Sequence, residues 1–538
     1  MQANANHTLG GDLDEFQVSA VGLNRRADQV QDSLDPLAQA RRRPGMCGRL
    51  GHHAILGVGA ACGDARALYA GGLERRPTPT RGRDSAGPED RARSAAFSRL
   101  GRQASLFPDL EIGGPDERGL SEVDAAFAHA IVDAAVRRWL TLQHLIQGFL
   151  EGPFGAMEPR LKGVLLGAAA QMLLLDRVPI HAAIDTAVDW AKRTIRPGAG
   201  GLVNAVLRRL GEQMDERVGT AWDGTRRGIP LSSGGTLTFK SDVLPEDEAR
   251  RWSVATSTPL ALLQRWQGLL EWGEARRIAL HGLVEPPTIL NTLYAGAEVI
   301  PPAGLELLPH AHDGHWIARG PRDALATLLR GRRDIWAQDP ASARTLLGLG
   351  KLLGGAKAQP RLIVDLCAGQ GTKTRQLLAE FPQARVIAAE VDASRLGRLR
   401  ELEAQEPRVR AMGAREALRA ASGTADLVLL DVPCSNSGVL ARRVEARYRF
   451  ETGQLGRLVT LQREIIGNSL RLLREGGPGW LVYATCSLER EENEDQSRAL
   501  AQAGFRIVRE HRVWPQGLPG GEPGVYSDGA YSAVLCRP

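Results

Sequence analysis

Two short stretches of the chain place a cysteine beside small polar residues at the end of an apolar run. Residues 427–437 are LVLLDVPCSNS and residues 480–487 are WLVYATCS, so Cys434 and Cys486 both follow segments with the composition of buried strands. A single buried cysteine is usually an inert small hydrophobe. Two cysteines in such matching polar surroundings instead predict a reactive pair of thiols.

Asp431 precedes Cys434 by three residues and adds a carboxylate to the predicted site. A thiolate that adds to carbon 6 of a pyrimidine makes carbon 5 a nucleophile, which can then attack an electrophilic methyl group. A second group must help to remove the carbon-5 proton before the thiol can leave, and an acid at N3 would stabilise the adduct. The residue types therefore suit methyl transfer to a pyrimidine ring.

A glycine-containing turn follows another apolar run, in RLIVDLCAGQGTKT at residues 361–374. Gly369 and Gly371 allow a tight turn at the start of a helix, whose N-terminus favours an anionic group. The turn is neither GxGxxG nor a P-loop, and a simple structural turn is the alternative. Glu390 closes the next apolar run, where a carboxylate commonly accepts both hydroxyls of a ribose. Cys367 lies within its strand end and is expected to pack there.

The elements around these residues form a regular pattern. After residue 360, four apolar runs alternate with four helical segments, which predicts a parallel sheet covered by helices on both faces. Ligands of such sheets bind beyond the carboxyl ends of the strands. The candidate residues all fall at such ends, namely 365–371, 390, 431–435 and 485–487. We therefore predict one shared site.

The rest of the chain divides by composition. Residues 1–87 are rich in Gly, Ala, Arg, Asp and Pro without periodicity and are predicted to be a disordered tail. Residues 88–215 carry apolar residues at helical spacing and predict an all-α domain. Residues 216–251 are predicted to be a linker with one hairpin, residues 252–345 an α+β subdomain, and residues 346–538 the α/β domain.

Composition limits the classes of function. The 538 residues include 68 Lys and Arg against 62 Asp and Glu, a net charge of +6, which fits a nucleic-acid partner without requiring one. The six cysteines are scattered and form no CxxC pair, so we expect free thiols, a reducing compartment and no metal site. No apolar run approaches about 18 residues and no signal-like segment begins the chain, so a cytoplasmic protein is expected.

The motifs resemble those of the RNA 5-methylcytosine methyltransferases of the Nol1/Nop2/Sun family. DLCAGQGTKT is similar to their DLCAAPGGKT, DVPCSNSGVL to DAPCSGTGVI, and YATCSLEREEN to YSTCSVxPEEN. QDPASA at 338–343 and SDGAYSAVL at 527–535 are similar to two further motifs of the family. Residues 176–210 resemble the NusB-type domain that precedes the catalytic half in family members acting on small-subunit ribosomal RNA.

The resemblance implies a multi-domain chain, with an all-α NusB-like N-terminal domain followed by an α/β Rossmann-like methyltransferase domain that uses S-adenosylmethionine. It makes Cys486 the nucleophile that adds to carbon 6 of cytosine, Cys434 the thiol that assists product release, and Asp431 a partner of both base and cofactor. The cofactor-binding residues that it implies are Cys367, Ala368, Gly369, Gln370, Gly371, Thr372, Lys373, Glu390 and Asp431.

The implied substrate is ribosomal RNA. A cytosine in a folded RNA must be splayed out to reach both thiols, so a single-stranded or loop region is expected. The NusB-like domain and the basic segments RRWL, VLRRLGEQ and ARRVEARYR are expected to add salt-sensitive contacts to the RNA backbone. The protein is expected to be a monomer.

Four departures from the family pattern accompany the resemblance. No Asp stands in RAMGAREAL (410–418), where the family has an adenine-contacting Asp, and RRHPD is replaced by ARRVEAR (441–447). The Arg of LRVN is absent from TILN (288–291), and APGG has become GQGT. The alternatives are a non-catalytic RNA-binding or ribosome-assembly factor, a DNA cytosine methyltransferase with the PC cysteine as nucleophile, and a nicotinamide dehydrogenase. The TCS motif argues against the second and the lack of GxGxxG against the third.

Overall fold

The computed structural model describes residues 88–354, 359–476 and 478–537, so the predicted tail at 1–87 lies outside the described residues. The first region is a bundle of six helices: α1 (Pro88–Leu106), α2 (Glu122–Arg137), α3 (Trp139–Gln147), α4 (Pro159–Leu174), α5 (Ile180–Thr194) and α6 (Ala199–Gln213). Helices α1 and α4 approach closely, since a Cβ on Gly163 would lie 2.3 Å from the backbone nitrogen of Gly101. The apolar faces close over one core.

Three short strands follow and form an antiparallel sheet of order β1–β3–β2: β1 (Met214–Val218), β2 (Gly228–Pro230) and β3 (Thr236–Phe239). Strands β2 and β3 pair as a hairpin. Ile229 and Leu237 are buried in the same core as the helical bundle. The segment predicted as a linker is therefore packed against the helical bundle. The domain boundaries given by the sequence analysis stay predictions.

The next region combines helices with a second small sheet. Its helices are α7 (Glu248–Thr256), α8 (Leu260–Leu269), α9 (Trp272–His281), α10 (Arg322–Leu329) and α11 (Pro340–Arg344). Its strands are β4 (Thr288–Asn291), β5 (Glu306–Pro309), β6 (His315–Arg319) and β7 (Trp336–Ala337), in the antiparallel order β5–β6–β4–β7. Helices α7 to α9 extend the first core towards the C-terminal region.

The C-terminal region is a seven-stranded sheet of order β10–β9–β8–β11–β12–β14–β13. Its elements are α12 (Leu349–Leu352), β8 (Leu362–Asp365), α13 (Thr372–Glu380), β9 (Arg385–Glu390), α14 (Ala393–Gln405), β10 (Val409–Gly413), α15 (Ala414–Ala420), β11 (Leu427–Asp431), α16 (Leu455–Leu470), β12 (Gly479–Thr485), α17 (Glu494–Gln502), β13 (Arg506–Val513) and β14 (Ala530–Arg537). The chain runs from β8 through β9 to β10 on one side of the sheet. It then returns to form β11 on the other side of β8. Ligand sites of α/β sheets lie at such a switch point.

The sheet corrects one part of the sequence interpretation. Five strands are parallel, as the alternation of strands and helices predicted, but β14 pairs antiparallel with both β12 and β13. Strands β10, β13 and β14 had not been recognised. Arg410 interrupts the first, five of the eight residues of the second are polar, and the third is separated from β13 by a short 3₁₀ turn (Pro523–Val525) rather than by an α-helix.

Buried arginines join the helical bundle to the C-terminal region. Arg447 is fully buried and donates to backbone carbonyls from several regions, including Gly282 at 2.7 Å and Leu440 at 3.0 Å. Arg137 donates to the carbonyls of Val284 and Ala441 at 3.0 and 2.8 Å. Burial lowers the pKa of Arg447 to about 10. Arg447 is thereby removed from solvent, whereas Arg137 is half-buried.

The prediction that the RRWL and ARRVEARYR segments contact RNA is therefore wrong for the two fully buried arginines, Arg138 and Arg447. Arg138 of RRWL is also buried, and it donates to the carbonyls of Pro230 and Ala255. In VLRRLGEQ, by contrast, Arg208 and Arg209 are exposed. Among the described residues, no helix has the length and apolar character needed to cross a membrane.

Candidate active site

The two predicted thiols meet at the carboxyl edge of the sheet. Strands β11 and β12 are parallel neighbours, and the loops that leave them carry Cys434 and Cys486. The two Sγ atoms are 3.2 Å apart. Cys434 is 8% exposed, and its hydrogen bond with Cys486, followed by burial, raises its pKa well above the usual value. Cys434 is therefore a neutral thiol at physiological pH, whereas the Cys486 side chain is partly open to solvent.

The loop after β11 is attached to the segment after β12 on both sides of the thiol. The Glu492 carboxylate accepts from the Ser435 amide at 2.9 Å and from the Ser435 hydroxyl at 2.5 Å. Farther along the loop, the Gly438 amide donates to the Cys486 carbonyl at 2.9 Å. A Cβ on Gly438 would lie 2.8 Å from that same carbonyl oxygen, so only glycine permits this approach. The relative positions of the two cysteines are fixed by these bonds.

Asn493 holds both neighbours of Cys486. Its Oδ1 accepts from the Thr485 hydroxyl at 2.5 Å, and its Nδ2 donates to the Ser487 carbonyl at 2.9 Å. Because Glu492 and Asn493 turn inward for these contacts, residues 490–492 form a short 3₁₀ turn and α17 begins only at Glu494. Glu492 of the acidic run therefore supports the cysteine loops, whereas Glu494 and Asp495 lie in the first turn of α17.

Lys373 and Asp431 form an ion pair beside the thiols. Lys373 Nζ is 2.8 Å from Asp431 Oδ2 and 3.1 Å from the Ser342 hydroxyl. Burial alone would lower the pKa of Lys373. The Asp431 carboxylate, with a smaller contribution from Cys486, has the opposite and larger effect, so the pKa of Lys373 is raised. The lysine is consequently a fixed positive charge close to the nucleophile candidate.

The turn between β8 and α13 has the conformation expected of a ligand cradle. Gly369 and Gly371 have φ values of 58° and 87°, in the left-handed region that glycine adopts without strain. A Cβ on Gly369 would meet no atom within 4 Å, so the backbone there faces open space. Thr372 and Lys373 begin α13, and Ala368 and Gln370 complete the turn. The N-terminus of α13 thus opens onto the same edge as the thiols.

Glu390 closes the cradle from the end of β9. One of its oxygens accepts from the Gly369 amide at 3.1 Å, and the other accepts from the amides of Val391 and Asp392 at 2.8 and 3.0 Å. Val391 is 84% exposed although it is apolar. A carboxylate fixed by backbone amides beside an exposed apolar residue suits a ribose with an attached base.

Asp365 and Cys367 line the inner wall of the cradle. Asp365 is fully buried, and its Oδ1 has no hydrogen-bond partner. Burial, followed by the charges of Asp365, Asp431 and Glu390, raises the pKa of Cys367, so this cysteine remains a neutral thiol. The unpartnered acceptor, the open space at Gly369 and the carboxylate of Glu390 together fit a cationic nucleoside such as S-adenosylmethionine.

The positions at which this chain departs from the family pattern can be located in the structure. Gly413 ends β10 opposite Glu390, and the residues that follow it are Ala414 and Arg415, so no carboxylate stands where the family has its adenine contact. Arg442, from the segment that replaces RRHPD, bonds Asp528 at 2.7 Å and Asp339 at 3.3 Å. This arginine joins the two motifs QDPASA and SDGAYSAVL beside the site.

Three supporting residues had no role in the sequence interpretation: Asn436, Glu492 and Asn493. The Cys486 thiol donates to Asn436 Oδ1 at 3.2 Å. The signal for the other two was available in the sequence, because both lie in the EEN end of a motif already recognised. Their function was missed because three consecutive polar residues ordinarily indicate a solvated surface.

Comparisons with known proteins agree with this geometry. Residues 356–512 match the family model described as 16S rRNA methyltransferase RsmB/F, and residues 96–212 match the NusB family. The C-terminal region is thus similar to this methyltransferase family, and the helical region to the NusB family. Ribosomal RNA small subunit methyltransferase B of Vibrio cholerae serotype O1 is 29% identical over 461 residues, covering 83% of this chain and 97% of that protein. The protein of the same name from Escherichia coli O6:K15:H31 is 27% identical over 446 residues, covering 79% and 93%.

The crystal structure of PH0851 aligns with 84% of this chain and 99% of its own, with a TM-score of 0.61 and 21% identity. This likeness supports the fold. The predicted family, the predicted order of a NusB-like domain before a Rossmann-like methyltransferase domain, and S-adenosylmethionine as cofactor are confirmed. The individual site residues stay predictions that the geometry now supports.

Proposed function

We propose that this protein methylates carbon 5 of a cytosine in small-subunit ribosomal RNA through a covalent adduct on Cys486. The observation that carries the proposal is the 3.2 Å separation of Cys434 and Cys486 at the edge of the cofactor cradle. A single thiol would suffice for a structural role or for many other methyl transfers. Two thiols in contact suit a reaction in which one sulfur must add to the base and later leave it.

Cys486 is the better nucleophile of the pair. It is partly exposed and lies near the positive charge of Lys373, which are the surroundings in which reactive cysteines are found. Its sulfur adds to carbon 6 of the base, and carbon 5 then attacks the methyl group that bound S-adenosylmethionine supplies. Loss of the carbon-5 proton to water restores the carbon 5–carbon 6 double bond, and the electrons of the broken carbon 6–sulfur bond return to Cys486.

Cys434 assists this last step. Because its raised pKa keeps it protonated before the base binds, its S–H group can donate to the departing sulfur 3.2 Å away. Asp431 is ion-paired with Lys373 and therefore acts as a hydrogen-bond acceptor, which fits a protonated N3 of the adduct. The sequence interpretation had considered an acid at this position, and the ion pair favours the acceptor role.

Ribosomal RNA is the proposed substrate because the related proteins are named for the small-subunit ribosomal RNA that they methylate. Arg208 and Arg209 of the NusB-like region are exposed members of the predicted basic segments and are available for contacts with RNA phosphates. The base must leave its stack to reach the thiols. We also retain the expectations of a cytoplasmic location and a monomer.

The test is to incubate the protein with ribosomal RNA and labelled cofactor, and to repeat this with Cys486→Ala and Cys434→Ala. Cys486→Ala should abolish transfer, since no sulfur can then add to carbon 6. Cys434→Ala should accumulate an RNA adduct that survives denaturing electrophoresis. Digestion of the wild-type product should yield 5-methylcytidine.

Each contrary outcome has a definite meaning. An adduct trapped by Cys486→Ala instead would reverse the roles of the two cysteines. Absence of transfer by the wild type to naked RNA, small subunits and assembly intermediates would favour the alternative of a non-catalytic assembly factor, which the missing adenine contact after β10 supports. A methylated base other than cytosine would refute the assigned substrate.

A further inference from the structure

Asn436 stands in the loop after β11, where the similar family motif DAPCSGTGVI has glycine. Its φ is 60°, in the left-handed region that disfavours most side chains but that asparagine tolerates. Glycine would adopt this conformation with less strain. The side chain at this position therefore needs an explanation other than the turn itself.

The carboxamide of Asn436 has a fixed orientation. Its Nδ2 donates to the Cys434 carbonyl at 2.9 Å, which leaves Oδ1 facing the second cysteine. The Cys486 thiol donates to that oxygen at 3.2 Å. An amide oxygen only accepts hydrogen bonds, so this contact stabilises the S–H form of Cys486.

The contact is rigid because the loop is anchored on both sides of Asn436. Ser435 before it is bonded to Glu492, and Gly438 after it is bonded to the Cys486 carbonyl. The Ser437 hydroxyl between them accepts from the Leu488 amide at 2.8 Å. The backbone at Asn436 therefore cannot move away from the sulfur without breaking these hydrogen bonds.

We propose that Asn436 is a positioning residue for the nucleophile, which holds Cys486 as a thiol whose hydrogen points away from Cys434. With its own hydrogen engaged by Asn436, the Cys486 sulfur keeps a lone pair free to accept from the Cys434 thiol. This arrangement presets the hydrogen bond that Cys434 makes to the departing sulfur. The inference rests on the proposed function of Cys486.

The charged and titratable groups around Cys486 come from four elements. They are Lys373 at the start of α13, Asp431 at the end of β11, Cys434 in the loop that follows, and Glu492 beneath that loop. None of them is changed by a substitution at Asn436. A shift in the pH profile of Cys486 in such a variant can therefore be attributed to the carboxamide.

The test measures the rate of Cys486 alkylation by iodoacetamide against pH, with peptide mass spectrometry separating Cys486 from Cys434. Asn436→Gly removes the acceptor and keeps the backbone conformation, so the profile should move to lower pH by roughly half to one pH unit, the size of a neutral hydrogen bond. Asn436→Asp keeps an acceptor and adds a negative charge beside the sulfur. Its profile should move to higher pH.

Opposite shifts in the two variants would support the inference, because a loosened loop would move both profiles in the same direction. An unchanged profile in Asn436→Gly, or parallel shifts in both variants, would overturn it. Alkylation needs neither RNA nor cofactor, so its outcome is separate from that of the methyl-transfer assay. Opposite shifts without any methyl transfer by the wild type would refute the proposed function and leave the hydrogen bond established.

Discussion

Replacement of Asp365 by asparagine tests whether the inner wall of the cofactor cradle holds a buried, partly unpartnered carboxyl group. Its Oδ2 accepts from the Thr374 hydroxyl at 2.7 Å, whereas Oδ1 has no hydrogen-bond partner. Burial is the main cause that raises the pKa of Asp365 to about 7, and Asp431 adds to it, while the Thr374 hydroxyl opposes it. The folded protein therefore resists ionisation of this group.

The magnitude follows from the two pKa values. The unfolded carboxyl ionises near 3.8 and the folded one near 7. Because the folded pKa is the higher one, the stabilising contribution is complete below about pH 3.8 and is lost as the pH rises through about 7. Between pH 5 and pH 8.5 this group should lower the free energy of unfolding of the wild type by roughly 2–3 kcal/mol. Asparagine does not ionise, so the free energy of unfolding of Asp365→Asn should not show this fall with rising pH.

The assay is urea denaturation of both proteins at several pH values in this range, followed by circular dichroism. The stability of Asp365→Asn relative to wild type should rise by roughly 2–3 kcal/mol from pH 5 to pH 8.5. Asp339 also has a pKa raised to about 7, by burial and by Asp528, but it is present in both proteins and cancels in the difference.

Thr374→Val provides the matched control. It removes the hydroxyl that donates to the Asp365 carboxylate while keeping the volume of the side chain, so it should raise the pKa of Asp365 further and steepen the loss of stability with pH. Parallel stability curves for wild type and Asp365→Asn would refute the reasoning, because they would mean that Asp365 ionises equally well in the folded and unfolded chain.

Three further predictions concern the cradle and the core. Gly371→Ala should lose roughly 1–3 kcal/mol of stability, because its φ is 87° and the new methyl would lie 3.0 Å from the Leu402 side chain. Gly369→Ala should cost less stability but should weaken binding of S-adenosylhomocysteine in calorimetry, since its methyl enters the open space of the cradle; wild-type affinity would contradict that assignment. Arg447→Lys should lower the free energy of unfolding by about 3 kcal/mol or more, because an ammonium cannot satisfy the carbonyls that the guanidinium reaches, and an unchanged urea midpoint would contradict this.

The parallel part of the sheet and the placement of the site could be predicted from the sequence, because buried parallel strands are continuous apolar runs and their polar ends follow directly. Strands β10 and β13 lie at the sheet edges and escaped recognition because neither is a continuous apolar run: Arg410 interrupts the first, and five of the eight residues of the second are polar. The buried arginines could not be predicted either. Nothing in ARRVEARYR distinguishes a guanidinium that bonds backbone carbonyls from one on a solvated face.

Within the site, too, only part of the arrangement could be predicted from the sequence. The residue types at the strand ends indicated two thiols and a carboxylate, but the Lys373–Asp431 ion pair depends on helix α13 passing the end of β11, which only the packed sheet determines. The contact between Asn436 and Cys486 depends in the same way on a left-handed residue in the loop. Local sequence does not specify which distant segments of the chain come into contact.

The structure also bears on the alternative in which the PC cysteine attacks the base, as in DNA cytosine methyltransferases. Cys434 is nearly inaccessible, its pKa is raised by its hydrogen bond with Cys486 and by burial, and the nearby Glu492 carboxylate disfavours its thiolate further. Cys486 faces solvent in part and lies near Lys373. Since the thiolate is the attacking species, the environment of the pair favours attack by Cys486 and proton donation by Cys434. The two proposed roles agree with burial and neighbouring charge, and Lys373→Met should narrow the difference in alkylation rate between the two thiols.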